Sequence, residues 1–292
     1  MKTLIKNGLV VDPANLVQTH LNLLLEDGKI VAVTEEEPEA DRVIDAAGKV
    51  VAPGFIDIHM HEDPVKDDKI QFCIFDAMLR MGVTTAVGGN CGINVYDPVK
   101  YLDLLERDGA PVNVMMFAGH QYYRETAGAL DKYSPVTEEQ RKTMKKGLEE
   151  ALEAGCVGIS YGLRYVPGTG REEFLDTASC CQKEHRLISA HVRDDEERVF
   201  GAVAEVAEAG KIFDIPVEIS HIGSMAGFGQ MEQLLKQVDG YRMNGMDITC
   251  DCYPYFAFST RIGATTYDDG WLERYHCDYD ACQLMEGKYK GQ

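Results

Sequence analysis

Seven short apolar runs follow one another from Pro53 onward: Phe55–His59, Thr84–Gly88, Val112–Phe117, Val157–Ser160, Leu187–His191, Val217–His221 and Ile248–Cys252. Between them lie stretches with a helical apolar period, namely Ile70–Met81, Pro98–Arg107, Thr137–Ala154, Glu172–Glu184, Glu196–Lys211 and Gln230–Asn244. The clearest of these, Thr137–Ala154, opens on the capping-box pair Thr137 and Gln140 and stops at Gly155. Strands that alternate with helices pair in parallel, because a parallel neighbour is reached only through a crossover of about a dozen residues or more. Units of roughly 30 residues are what an eightfold barrel repeats. The pattern predicts an α/β chain with a (β/α)8-type barrel that is incomplete, since seven strand units are present and the tail Trp271–Gln292 offers no obvious eighth.

Before Pro53 the texture differs. Leu4–Val11, Leu21–Leu25, Lys29–Val33 and Val50–Ala52 read as short strands, and Asp27-Gly28 supplies the positive φ angles of a tight hairpin. The expected division is residues 1–52 as an N-terminal β module, part of a β-sandwich, and residues 53–292 as a barrel lacking its eighth strand.

The chain has 29 Lys and Arg against 48 Asp and Glu, a formal charge of −19, which disfavours binding to nucleic-acid phosphates. No apolar run approaches the ~18 residues of a membrane span, and Met1–Val11 lacks the apolar core of a signal peptide. A cytoplasmic protein without nucleic-acid or membrane partners is expected. Its nine cysteines, odd in number and scattered, suit reduced thiols, one of which is a candidate ligand.

In a parallel barrel, functional groups project from the C-terminal ends of strands. His59 and His61 follow the first run, Cys91 lies just past the second, His191 ends the fifth and His221 the sixth. Strand side chains alternate, so a His-x-His pair points to one side and can grip one ion. A single His at a strand end is more often a hydrogen-bonded loop residue, and a single Cys a small core residue. Five such residues at strand ends form a borderline-soft set that suits zinc. His120 also follows a strand and reads equally as a pocket residue or a solvated loop residue, whereas His20, His185 and His276 read as surface or packing residues.

The segment Gly54-Phe-Ile-Asp-Ile-His-Met-His61 resembles the first-strand signature of the amidohydrolase superfamily. Asn7-Gly8, Glu26-Asp27-Gly28-Lys29-Ile30 and Ala52-Pro53-Gly54 look like its N-terminal β module. Within the superfamily, Gly89-Asn90-Cys91-Gly92, Tyr165-Val-Pro167-Gly168, Ala190-His-Val-Arg193-Asp194, Ile219-Ser-His221 and Asp251-Cys-Tyr-Pro-Tyr255 together resemble the N-acyl-D-amino-acid deacylases. The resemblance runs over nearly the whole chain. It implies a tightly held zinc on Cys91, His191 and His221, and a second, weaker metal position that includes His59 and His61. It also implies hydrolysis of the amide between an acyl group and a D-amino acid, with Tyr165, Arg193 and Ser259 as candidate substrate contacts. Residue-level alternatives are a salt bridge from Arg193 to Asp194 or Asp195, and packing of Tyr165 on Pro167.

Two departures stand out. The family's proton-accepting Asp closes the eighth strand, so no catalytic base is assigned here and the chain alone is expected to be inactive and to self-associate through an open barrel edge. A Lys that often follows the Ser-His motif is absent from Ser220-His221-Ile222-Gly223. The other readings are a cyclic-amide hydrolase of the dihydroorotase or hydantoinase kind, and a non-catalytic metal-binding remnant. Against the former, the fourth run Val157–Ser160 has no Lys to bridge two metals.

Overall fold

The computed structural model describes residues 1–292, which divide into two compact units, Met1–Phe55 and Ile56–Gln292. The first unit is one five-stranded sheet: β1 (Lys2–Asp12), β2 (Val17–Glu26), β3 (Lys29–Thr34), β4 (Arg42–Asp45) and β5 (Val50–Val51). Its order is β3-β2-β1-β4, with β5 also pairing with β1. Asp27 (φ 50°) and Gly28 (φ 77°) turn the β2–β3 hairpin, as their sequence predicts. The β1–β2 register shifts between Ile5 and Gly8, and Asn7 there has φ 65°. Strand β4 escaped the sequence reading because all four of its residues are exposed, which leaves no alternation to detect. Residues 1–52 were expected to be part of a sandwich; within this unit the strands make a single layer.

The second unit holds all but the first residue of β6 (Phe55–Asp57), a small hairpin of β7 (Val65–Lys66) and β8 (Lys69–Ile70), then β9 (Val83–Gly88), β10 (Asn113–Gly119), β11 (Gly158–Gly162), β12 (Leu187–His191), β13 (Val217–Ile219) and β14 (Ile248–Cys250). Seven strands form a parallel sheet in the order β14-β13-β12-β11-β10-β9-β6, so chain neighbours are sheet neighbours, and β6 and β14 are its two edges. This is the incomplete barrel that the seven runs predict.

The helices are α1 (Ile74–Arg80), α2 (Pro98–Asp108), α3 (His120–Thr126), α4 (Glu138–Glu153), α5 (Arg171–Ala178), α6 (Val199–Phe213), α7 (Ile222–Met225), α8 (Met231–Met243) and α9 (Trp271–Arg274). Helix α1 starts four residues later than its period suggests. Its start is fixed by the Asp63 carboxylate, which accepts the backbone N–H groups of Ile74 (2.9 Å) and Phe75 (3.1 Å). The capping box of α4 is present in both directions. Helices α5 and α6 are shorter than predicted because Ser179–Cys181 and Glu196–Arg198 wind as 3₁₀ turns. Helix α3 begins directly at the end of β10 and α7 follows β13 after two intervening residues, and both have too few turns to show a period. The core lies between sheet and helices, with Phe75, Met116, Leu148, Ile159, Phe174, Ile188, Val203 and Val206 among residues wholly out of solvent. Burying side chains of this size contributes about 1.5–3 kcal/mol each.

Candidate metal centre

Every residue singled out as a ligand sits where a strand of the seven-stranded sheet ends. His59 and His61 follow β6, Cys91 follows β9, His191 closes β12 and His221 comes two residues after β13. The loop carrying Cys91 is fixed by buried polar side chains. Asn90 donates its amide to the carbonyl oxygens of Ile58 (3.0 Å) and Val87 (2.9 Å), tying the ends of β6 and β9 together. The Glu62 carboxylate accepts the N–H groups of Gly89 and Val95, each at 2.9 Å. Gly89 and Gly92 have positive φ, and a Cβ on them would press within 2.5 Å of the Phe117 carbonyl oxygen and 2.8 Å of the Gly162 nitrogen. The Gly-Asn-Cys-Gly sequence is therefore what allows the loop to lie flat on β10 and β11. Cys91 (φ 57°) and His221 (φ 35°) are themselves left-handed. In non-glycine residues this costs of order 1–3 kcal/mol each and persists only where the surroundings enforce it.

The result is a cluster centred on one sulfur. Cys91 Sγ lies 3.5 Å from His59 Nε2, 3.6 Å from His221 Nε2 and 3.9 Å from His191 Nδ1. The ligand atoms fall into two groups, His59–His61–Cys91 and Cys91–His191–His221, each with all its atoms within 4.8 Å of one another, and Cys91 belongs to both. Zinc takes a thiolate at about 2.3 Å and imidazole nitrogens at about 2.0–2.1 Å, so tetrahedral angles set sulfur and nitrogen about 3.6 Å apart. The observed separations bracket that value. One thiolate among imidazoles is also a donor set that zinc favours, and the residues present fit the ion.

The electrostatics suit ligation. Burial pushes His191 well below the ordinary imidazole range, helped by His221, His59 and the Arg164 charge. Burial likewise lowers His221 to about 4, and His61 to about 4 with help from His59 and Arg261. These imidazoles are neutral at neutral pH, the form that ligates. For His59, burial pulls downward, but its hydrogen bonds to the Asp251 carboxylate and Cys91 outweigh it and the net shift is well upward.

The other predicted residues are placed as follows. The Tyr165 ring lies over His191, with centroids 4.5 Å apart, which brings Tyr165 to the cluster. Ser259 is exposed. The Arg193 fork is held by Glu205 on α6, through Nε at 2.9 Å and Nη2 at 2.8 Å, so the partner is neither Asp194 nor Asp195. His120 is neither a pocket nor a solvated loop residue: it is buried, 3.0 Å from Glu173, which Arg124 also holds at 3.1 Å. His20, His185 and His276 are exposed.

The sequence reading missed Asp251, whose Oδ2 accepts from His59 Nδ1 at 2.8 Å and whose Oδ1 accepts the His221 N–H at 2.7 Å. The rule that found the histidines, a polar residue just past an apolar run, also points to it. Arg164, next to Tyr165, was missed as well; its Nε is buried without a partner and Asp194 approaches Nη1 only to 3.6 Å. Residues 265–275 cross the same end of the sheet, where Thr265 Oγ1 donates to the Arg164 carbonyl (2.6 Å) and the Tyr275 hydroxyl to Asp195 (2.5 Å).

Residues 42–166 match the amidohydrolase family. The chain is 30% identical over 287 residues to a D-aminoacylase of Alcaligenes xylosoxydans xylosoxydans, covering 89% of this chain and 58% of that protein. It is 31% identical over 283 residues to an N-acyl-D-glutamate deacylase of the same organism, covering 88% and 57%. The structure of an N-acyl-D-glutamate deacylase from Bordetella bronchiseptica, complexed with zinc and a phosphonate mimic of the tetrahedral intermediate, superposes with a TM-score of 0.76 at 29% identity, covering 87% of this chain and 58% of that one. The chain thus spans somewhat over half the length of these relatives. The family match, the half-barrel and the ordered strand-end motifs converge: the chain carries a domain that matches the amidohydrolase family over residues 42–166 and is similar to the N-acyl-D-amino-acid deacylases.

Proposed function

We propose that this chain supplies the metal centre for zinc-dependent hydrolysis of the amide bond in N-acyl-D-amino acids. The observation that carries the reading is the single sulfur of Cys91 with imidazole nitrogens from three other strand ends 3.5–3.9 Å away. Cys91, His191 and His221 would hold the tight zinc, and His59 and His61 would share Cys91 at a weaker second position. A bound zinc supplies Lewis acidity toward a carbonyl oxygen and lowers the pKa of water.

The chain's own residues do the rest. Tyr165 walls one side of the cluster against His191 and, with its hydroxyl protonated at neutral pH because burial raises it, can donate to a bound acyl or carboxylate oxygen. Arg164, its guanidinium short of partners, is better placed than Arg193 to take a substrate carboxylate. Asp251 has one oxygen on His59 and the other on His221, so it is committed to positioning and not free as a proton acceptor. Turnover on this reading needs a further carboxylate, and the 292 residues alone are inactive.

The cyclic-amide alternative is disfavoured because β11, Gly158–Gly162, presents Ser160 toward the Cys91 loop, where it accepts the Gly92 N–H at 3.0 Å, and has no Lys. Release of amine from N-acetyl-D-amino acids, compared with hydantoin opening, tests the proposal. It is supported by D-selective amide cleavage in a zinc-loaded protein that contains this chain plus an eighth strand unit, and contradicted by hydantoin opening or by turnover in the 292 residues alone.

A further inference from the structure

Beneath the metal cluster the interior of the sheet is polar, which is unusual for a barrel core. Ser160, Ser189, Glu218 and Thr249 fall on one register row across β11, β12, β13 and β14. Glu218 is 1% exposed, and its Oε2 accepts hydrogen bonds from Ser189 Oγ (2.6 Å) and Ser220 Oγ (3.1 Å). Its Oε1 accepts the Asp251 N–H at 3.1 Å. Asp251 therefore does not float: its backbone is held by Glu218 while its side chain bonds His59 and His221.

We infer that Asp251 is a positioning residue that aligns both ligand groups at once, setting the ring of His59 through Oδ2 and the backbone of His221 through Oδ1, with Glu218 holding Asp251 in place. The chemistry requires an acid at this position. A carboxylate only accepts, so in the neutral ring that ligates it fixes the His59 hydrogen on Nδ1 and leaves the Nε2 lone pair on the side of Cys91 Sγ, 3.5 Å away. Both partners of Asp251 are donors, at 2.8 and 2.7 Å. An amide has one acceptor and one donor, so an Asn of the same shape must fail one of them. If its NH2 group faces His59, the ring takes the other tautomer and Nε2 is no longer free. If its NH2 group faces His221, two N–H groups oppose each other.

The inference rests on the zinc reading above, and the experiment separates the two. Zinc affinity of the weaker position, which His59 and His61 share with Cys91, is measured by competition with a chelator once the tight position is filled, for the parent, Asp251→Asn, His59→Gln and the double variant, and the thermal midpoint of each is measured without metal. Asp251→Asn is expected to weaken zinc binding about 10- to 100-fold, the usual range for the outer partner of a ligand histidine, with the metal-free midpoint held. The double variant is expected to lose less than the product of the two single losses, because much of the Asp251 effect passes through His59. Parental affinity in Asp251→Asn, losses that multiply fully, or a metal-free midpoint that falls in step with affinity would each overturn the positioning role. Parental affinity in His59→Gln would overturn the participation of His59 in the metal centre, and the inference with it.

Discussion

Asp251 and His59 are 192 residues apart in sequence and hydrogen-bonded at 2.8 Å. His59 follows β6 and Asp251 follows β14, the two edges of the sheet. The bond spans the interior from one edge to the other, so the curvature that brings seven strands most of the way round also assembles the metal ligands.

One consequence concerns Gly162, the last residue of β11. A Cβ there would run into the Cys91 carbonyl oxygen and lie 2.9 Å from the Tyr165 ring. Gly162→Ala is expected to destabilise the chain by about 1–3 kcal/mol, as overpacking does, and to lower zinc content by displacing Cys91. Denaturant unfolding and elemental analysis report the two effects, and unchanged zinc content would show that the loop has room to shift.

Arg164 and Arg193 should separate cleanly. In a turnover-competent protein containing this chain, Arg164→Ala is expected to raise KM at least tenfold for substrates with a free carboxylate, with little change in stability. Arg193→Ala breaks a half-buried bidentate pair with Glu205 and is expected to cost about 1 kcal/mol of stability, with KM unchanged. The opposite split would return Arg193 to the substrate site.

The buried triad His120–Glu173–Arg124 makes a pH prediction. Burial alone would raise Glu173, but His120 and Arg124 together bring it below the ordinary 4.5. A carboxyl lower in the folded than in the unfolded state stabilises above the ordinary value, and that contribution fades as pH falls through the folded one. Glu173→Gln leaves Arg124 buried without its charge partner and is expected to cost about 3–5 kcal/mol at pH 7. The deficit relative to the parent should shrink below pH 4.5. A deficit of constant size from pH 7 to pH 3 would mean that the charge of Glu173 is immaterial.

Both sheet edges carry unpaired backbone groups, and near them Ile56, Tyr255 and Phe256 are largely exposed. Open edges template pairing with another chain. The 292-residue chain made alone is expected to elute from size-exclusion chromatography as concentration-dependent associated species, and a monodisperse monomer at all concentrations would count against exposed-edge pairing.

Much of this was legible in the sequence because barrel strands and their helices have opposite periods, and the residues that close the strands are chemically distinctive. All five candidate ligands could be named in that way. Strand β4 was not legible because neither face is buried, and α3 and α7 because they are too short. Asp251 was within reach of the same strand-end rule, whereas Glu218 was overlooked because its importance lies in hydrogen bonds to residues on other strands, which no local pattern encodes. Arg193 was misleading because the strand-end rule locates its backbone but not its side chain, which turns to Glu205.

The central claim, one sulfur shared among imidazoles, is tested most directly by X-ray absorption at the zinc edge of the zinc-loaded chain. The account predicts a shell with one sulfur at about 2.3 Å and nitrogens at about 2.0–2.1 Å, with the sulfur lost in Cys91→Ser. A parental shell of nitrogen and oxygen alone, with no sulfur, would contradict it.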